Sequence, residues 1–154
     1  MTTLQFTLQP ALTHKKRLEE ICQMELAEIE VTYEQERRVL DLLAQTERLG
    51  YQELQTQQEP GELDIGLINI YMYDLQTLQR RIEEQLALLE IIAENSRLKR
   101  EELIEVSKDK KALEKLKEKH LKDIAQTMTR AENKVMEDIA TSQFHRRKVG
   151  QALI

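Results

Sequence analysis

One cysteine, two prolines, four glycines and no tryptophan stand in 154 residues, and each scarcity excludes something. With Cys22 alone, no disulfide can close within the chain and no cysteine-based metal cluster can form. The plainer reading of Cys22 is a small seam residue on a helix, compatible with a reducing setting. So few glycines and prolines leave almost no punctuation for turns, which excludes a many-turned fold. Aromatics make up only 4%, so the apolar residues must line a narrow seam rather than fill a thick core. No apolar run approaches the roughly 18 to 20 residues that span a bilayer. Residues Met1 to Leu12 lack the basic-then-apolar order of a secretory signal.

What is abundant is charge, at 33% of residues, with Ala, Leu, Glu, Lys, Arg, Gln and Ile around it. That composition belongs to long helices and coiled coils. Leu4, Phe6 and Leu8 alternate ahead of Pro10, where the residue before the proline is held extended and the proline can open a helix. The pattern predicts helix 1 over about 10–58. Its apolar residues recur at a spacing of eleven, as Leu18, Ile29, Leu40 and Tyr51 and as Ile21, Thr32, Leu43 and Leu54, which implies a nearly straight seam. The one strong break is Glu59-Pro60-Gly61-Glu62, a turn over about 59–63. Helix 2 is expected over about 64–147, with Asp64 as N-cap and a short C-terminal tail after it. A heptad walk from Ile68 runs through Tyr71, Leu75, Leu78, Ile82, Gln85, Leu89, Ile92, Ser96, Lys99, Leu103, Val106, Lys110 and Leu113. Apolar residues or tyrosine fill ten of those fourteen places, enough for a coiled-coil seam. The stripe weakens through 114–120 and resumes in a shifted frame at Leu121, Ile124, Met128, Ala131, Val135 and Ile139. The expected fold is therefore all-α, one two-helix antiparallel coiled-coil hairpin over 1–154 with helix 2 longer than helix 1.

A turn centred on 60–61 places Pro10 opposite about Lys111 and Tyr51 opposite about residue 70. Helix 2 then runs on unpaired for about 35 residues, roughly 50 Å. Its apolar stripe there has nothing in the chain to cover it, which implies a partner or self-association. The net charge of −5 is also unevenly spread. Residues 18–96 carry 18 acidic and 5 basic side chains, residues 97–154 carry 10 and 15, and residues 1–17 carry three basic ones and no acid. Folded as a hairpin, the chain is acidic at the tip and mid-shaft and basic where the termini gather, a field that steers association.

Motifs for chemistry are missing. No Gly-rich phosphate loop, no HExxH and no Cys/His ligand spacing is present. His14, His120 and His145 are far apart, and Ser96, Ser107 and Ser142 lack a neighbouring base. Paired acids such as Glu19–Glu20 and Glu83–Glu84 point in different directions on a helix. The chain reads as a non-enzyme with no catalytic residue, cofactor or metal. The basic stretch 97–122 interleaves acids at helix-stabilising spacings, as at Glu118 and Lys122, and lacks aromatics for stacking, so no nucleic-acid partner is expected. Tyr51, Tyr71 and Tyr73 would meet near the tip, either capping the seam or forming an exposed patch of the kind that anchors interfaces.

The chain resembles the bacterial FliJ family of the flagellar type III export apparatus, and the related injectisome stalk proteins. The likeness is carried by Phe6-Thr7-Leu8 with Leu12, Lys15-Lys16 and Glu19-Glu20, then by Tyr71 or Tyr73, Leu75, Leu78, Ile82 and Gln85. Leu113-Glu114-Lys115-Leu116-Lys117-Glu118-Lys119 and Glu137-Asp138-Ile139-Ala140 followed by Arg146-Arg147 extend it over nearly the whole chain. The resemblance implies a cytoplasmic coiled coil like the central stalk of rotary ATPases, held at the inner membrane only through partners. It implies that the two-terminus end meets the hexameric export ATPase, that the tip meets the membrane export gate protein, and that export chaperones bind. Carried onto this chain, the tip candidates are Tyr51, Tyr71, Tyr73 and Gln76, although Asp74 falls where the family is apolar. The ATPase-end candidates are Lys15, Lys16, Arg17, Arg146 and Arg147. Two other readings compete: a coiled-coil scaffold or tether that self-associates through its overhang, and a helical arm that binds RNA.

Overall fold

A computed structural model describes residues 5–58, 61 and 64–152. Two helices account for almost all of them, α1 over Gln9–Gln57 and α2 over Ile65–Ala152, and no strand is found among the described residues. The fold is all-α, an antiparallel two-helix coiled-coil hairpin with the second helix the longer. Leu4 and the turn residues Glu59, Pro60, Glu62 and Leu63 lie outside the described residues.

Local chemistry explains where the helices start. Gln9 N–H donates to the Phe6 carbonyl at 3.0 Å and Leu12 N–H to that of Leu8 at 2.9 Å. Pro10 sits in the first turn, where a missing N–H costs nothing. At α2 the Asp64 carboxylate accepts from the Leu67 N–H at 3.3 Å, and its carbonyl accepts from Ile68 at 3.1 Å. That is the geometry of an N-cap. The second helix continues through the expected tail as far as Ala152.

The chain divides into two compact units, residues 18–105 and residues 1–17 with 106–154. In the first, the covered positions of α2 step by three and four through Tyr71, Leu75, Leu78, Ile82, Gln85, Leu89, Ile92, Ser96, Lys99 and Leu103. This is the heptad frame read from the sequence. The facing positions of α1 step the same way, through Glu19, Cys22, Leu26, Ile29, Tyr33, Glu36, Leu40, Leu43, Glu47, Gly50 and Leu54. The eleven-residue rows are therefore corrected. Ile21, Thr32 and Tyr51 are exposed, and the seam follows seven residues, not eleven. Polar side chains hold several seam places by bonding across it. Gln85 Nε2 donates to the Glu36 carbonyl at 2.8 Å and to its carboxylate at 2.7 Å. Lys99 donates to Glu25 at 2.5 Å and to Glu102 at 3.0 Å.

The register also differs from the sequence expectation. Gly50 stands against Leu75, where a turn centred on 60–61 would have put residue 71. The offset is about one helical turn. A small residue at position 50 allows this approach, since a Cβ there would come within 3.0 Å of the Leu75 Cδ2 methyl.

In the other unit, the first turns of α1 pack on the stretch of α2 after Val106. Leu12 is the most deeply buried side chain, 1% exposed, a burial worth about 1.5–3 kcal/mol. Lys15 Nζ donates to Asp109 at 3.0 Å. The chain ahead of α1 folds so that the Phe6 ring lies 5.8 Å from that of His120, tilted by 42°. The covered positions of α2 here are Val106, Ser107, Lys110, Leu113, Lys117, His120 and Ile124. The stripe does not restart at Leu121, which is exposed; Lys117 and His120 carry the original frame through the polar stretch. Beyond Ile124, every described residue to Ala152 is exposed, Met128, Val135 and Ile139 included.

Candidate partner-binding surfaces

The tyrosines of the 18–105 unit occupy three different settings. Tyr71 is half-buried in the seam of α2. Tyr73, two residues on, points away from Tyr71 by about 200° of helix rotation and is 70% exposed. Tyr51 is exposed on α1, where its hydroxyl accepts a hydrogen bond from Gln79 Nε2 at 2.7 Å. The shifted register thus sets Tyr51 beside Gln79 rather than beside residue 70, about two turns from Tyr71 along α2. Gln76 is exposed. A shallow groove of about 270 Å³ opens beside Gly50, edged by Leu49, Tyr71, Leu75 and Leu78 with the acids Glu53 and Asp74. Sequence reading did not single out Gly50, the residue that makes room for this groove.

Electrostatics in this unit are set by pairs across and along the helices. The Lys99 ammonium holds the Glu102 carboxyl below its usual value, and Arg97 does the same for Glu94. Both cations are pushed up in turn, Lys99 chiefly by its hydrogen bond to Glu25 and then by that to Glu102, and Arg97 chiefly by its hydrogen bond to Glu94. Burial first, and then Glu102, pushes the Cys22 thiol up, so it rests protonated with Sγ 3.7 Å from a Glu102 oxygen. That is the setting of a packed thiol and not of a nucleophile. The unit carries 21 acidic and 8 basic residues, whereas the other carries 7 acidic and 15 basic.

In the basic unit the expected cations form two groups. Lys15 is tied to Asp109, while Lys16 and Arg17 are exposed. Arg146 and Arg147 are exposed on the uncovered part of α2, Arg146 beside Val135, Asp138 and Ile139. Arg17 shares a groove with Lys117, and Lys117 is separated from Arg146 by roughly 44 Å of helix at 1.5 Å per residue. The structure does not bring the two groups together. That groove, about 860 Å³, has Phe6, Pro10 and Leu121 on its apolar side and His14, Arg17 and Lys117 around them. Sequence reading made Arg17 alone among these a site candidate. The signal for Phe6, Pro10 and His14 lay in residues 5–17, which contain no acid, while Lys117 and Leu121 come from α2.

Among the described residues no group of three or more His, Cys, Asp or Glu side chains could hold a metal ion. No described helix is long and apolar enough to cross a membrane. Against this geometry, the family profile described as flagellar FliJ protein matches residues 4–149. The chain belongs to that family. No curated protein and no solved structure matches it. Family membership makes the chain a component of the flagellar protein export apparatus, with partners within that system. A two-helix coiled coil with charge divided between its units and a bare stretch of α2 suits a component that works by contact.

Proposed function

We propose that this FliJ-family chain is a non-enzymatic stalk and adaptor of the export apparatus. In this reading the basic unit engages the hexameric export ATPase, with Lys15, Lys16, Arg17, Arg146 and Arg147 supplying attraction. The region of Tyr51, Tyr71, Tyr73 and Gln76, with Tyr73 and Gln76 exposed and Tyr71 in the seam, contacts the membrane export gate protein, and export chaperones share the coiled coil. The chain then works on the cytoplasmic side of the inner membrane, held there through its partners and using no cofactor.

The observation that carries the reading is the stretch 125–152 of α2. It is helical throughout and exposed throughout, with large apolar side chains at 128, 135, 136, 139, 144 and 149. An isolated helix draws most of its stability from a packed face, so a helix that keeps its apolar side chains bare calls for a protein to cover them. The same observation favours a second reading, a scaffold that self-associates through this stretch. Titrating the purified chain into a hexameric export ATPase distinguishes them. Saturable stimulation of ATP hydrolysis by a monomeric chain supports the stalk. A stable homodimer without effect on hydrolysis supports the scaffold and rejects the stalk.

A further inference from the structure

The groove formed by the N-terminal turn, the start of α1 and the middle of α2 is lopsided in its chemistry. Its apolar side is built by Phe6, Pro10 and Leu121, the last exposed even though its neighbours in the seam are covered. Around it stand Arg17, Lys117 and His14, and none of the described residues lining it is acidic. The unit as a whole has about twice as many basic as acidic residues, 15 against 7. Phe6 is held in place rather than loose, since its ring rests against His120 at 5.8 Å and the Phe6 carbonyl accepts from Gln9 at 3.0 Å. A prearranged apolar side costs little ordering entropy on binding, and cations beside it select the sign of the ligand.

We propose that this groove is the docking site for an acidic amphipathic helix of a partner protein. Such a helix lays apolar side chains at i and i+3 or i+4 against Phe6, Pro10 and Leu121. Its flanking glutamates or aspartates then reach Arg17, whose guanidinium can grip a carboxylate with two hydrogen bonds, and Lys117. Phosphate or an acidic coil would satisfy the cations but leave the apolar side wet, and a basic or neutral helix would meet the cations unpaired. The proposal rests on the reading that this unit binds a protein partner, and it fixes the chemistry that partner must present.

The test uses the full chain and a fluorescein-labelled model helix with leucines on one face and glutamates beside them. Two controls are a version with lysines for glutamates and a glutamate-rich peptide without leucines. Anisotropy should show saturable binding of the first alone, weakening as salt rises. Arg17→Gln with Lys117→Gln, and separately Leu121→Ser, should each weaken it by about tenfold or more. Lys148→Gln, far from the groove, should leave it unchanged. Circular dichroism confirms that the variants keep their helicity. Equal binding of the lysine peptide, or full binding by the Arg17/Lys117 variant, overturns the proposal. So does self-association of the chain that disappears with the same substitutions, because the groove would then belong to a second copy. Loss of ATPase stimulation in the variants without any binding of the glutamate helix removes the groove's assigned ligand and leaves the ATPase reading standing. Binding that the variants abolish while stimulation persists upholds the groove's ligand and places the ATPase contact elsewhere on the chain.

Discussion

Leu75 lies against the bare backbone of Gly50, its Cδ2 methyl 3.0 Å from where a side chain on residue 50 would begin. The pair marks the register of the 18–105 unit. One heptad back along α1 and one heptad forward along α2, the same register brings Leu43 opposite Ile82. In a Cys22→Ala background, cysteines at 43 and 82 should therefore oxidise to an intramolecular bond readily. Cysteines at 39 and 82, the pairing implied by a turn centred on 60–61, should bond slowly, because position 39 points out of the seam. The comparison is read on a non-reducing gel over time. Faster bonding at 39 and 82 would displace the register by a turn.

Gly50 also makes a prediction about stability. In a helix interior, alanine is favoured over glycine by about 1 kcal/mol. The atom in the way is the end of a leucine side chain beside an open groove, so Leu75 can yield by a few tenths of an ångström. Gly50→Ala should then be neutral to stabilising by up to roughly 1 kcal/mol. Gly50→Leu must push the helices apart and should cost about 1–3 kcal/mol. Thermal melts followed at 222 nm decide this, and a Gly50→Leu chain more stable than the parent would reject the close approach.

The seam of α2 was legible because leucine, isoleucine and valine fill most of it. That of α1 was not. Glu19, Glu36, Glu47 and Gly50 occupy seam places, while Ile21, Val31, Leu42 and Leu49 stand outside it. The eleven-spaced rows along α1 therefore mix covered residues, Leu18, Ile29, Leu40, Leu43 and Leu54, with the exposed Ile21, Thr32 and Tyr51. The polar seam positions are intelligible only with the opposite helix in view, as with Glu36 bonded to Gln85 and Lys99 bridging Glu25 and Glu102. The register was missed for a related reason. The stagger shows in side-chain contacts such as Gly50 with Leu75 and Lys15 with Asp109, and a turn's midpoint does not reveal it. Of the candidate surfaces, the cations were legible one by one, but their separation was not, because adding Arg146 and Arg147 to Lys15–Arg17 ignored the length of α2 between them.

A seam leucine and a surface arginine should differ widely in cost. Leu89 is 8% exposed, and Leu89→Ala should destabilise by about 2–4 kcal/mol. Arg80 is exposed on the outer face, and Arg80→Ala should change stability by less than about 0.5 kcal/mol. Urea titration measures both, and comparable losses would mean that Leu89 is not in the seam.

Acid should loosen the 18–105 unit through Glu94 and Glu102. Their carboxyls sit below the ordinary value in the folded chain, so the folded state binds protons less readily than the unfolded one. The stability they add is present above the unfolded value and is lost as pH falls through the folded one. The melting temperature should accordingly decline below about pH 4.5. Both acids are exposed, so the decline should be shallow and smaller still in high salt. Glu102→Gln should flatten it. A melting temperature that rises on acidification, with the parent steeper than Glu102→Gln in that direction, would contradict the ion-pair geometry.

Separate working surfaces make the sharpest prediction about function. Tyr73 and Gln76 are exposed, whereas Tyr71 belongs to the seam, so the tip is best probed without touching Tyr71. Tyr73→Ser with Gln76→Ala should weaken contact with the gate protein while ATPase stimulation persists, since an exposed aromatic can anchor an interface without supporting the fold. Tyr71→Ser should lower helicity and impair every partner. Lys16→Glu with Arg17→Glu should reduce ATPase stimulation, more so at low salt where charge attraction is least screened. Arg146→Glu with Arg147→Glu tests the second basic group by itself, because roughly 44 Å of helix lies between the two. If the ATPase engages both, the two pairs of substitutions should add in free energy, as sites beyond about 10 Å without shared partners do. Loss with the Arg146/Arg147 pair alone would confine that contact to the uncovered stretch of α2. Equal impairment of gate and ATPase by the tip and basic variants, at unchanged helicity, would remove the division of labour between the two units.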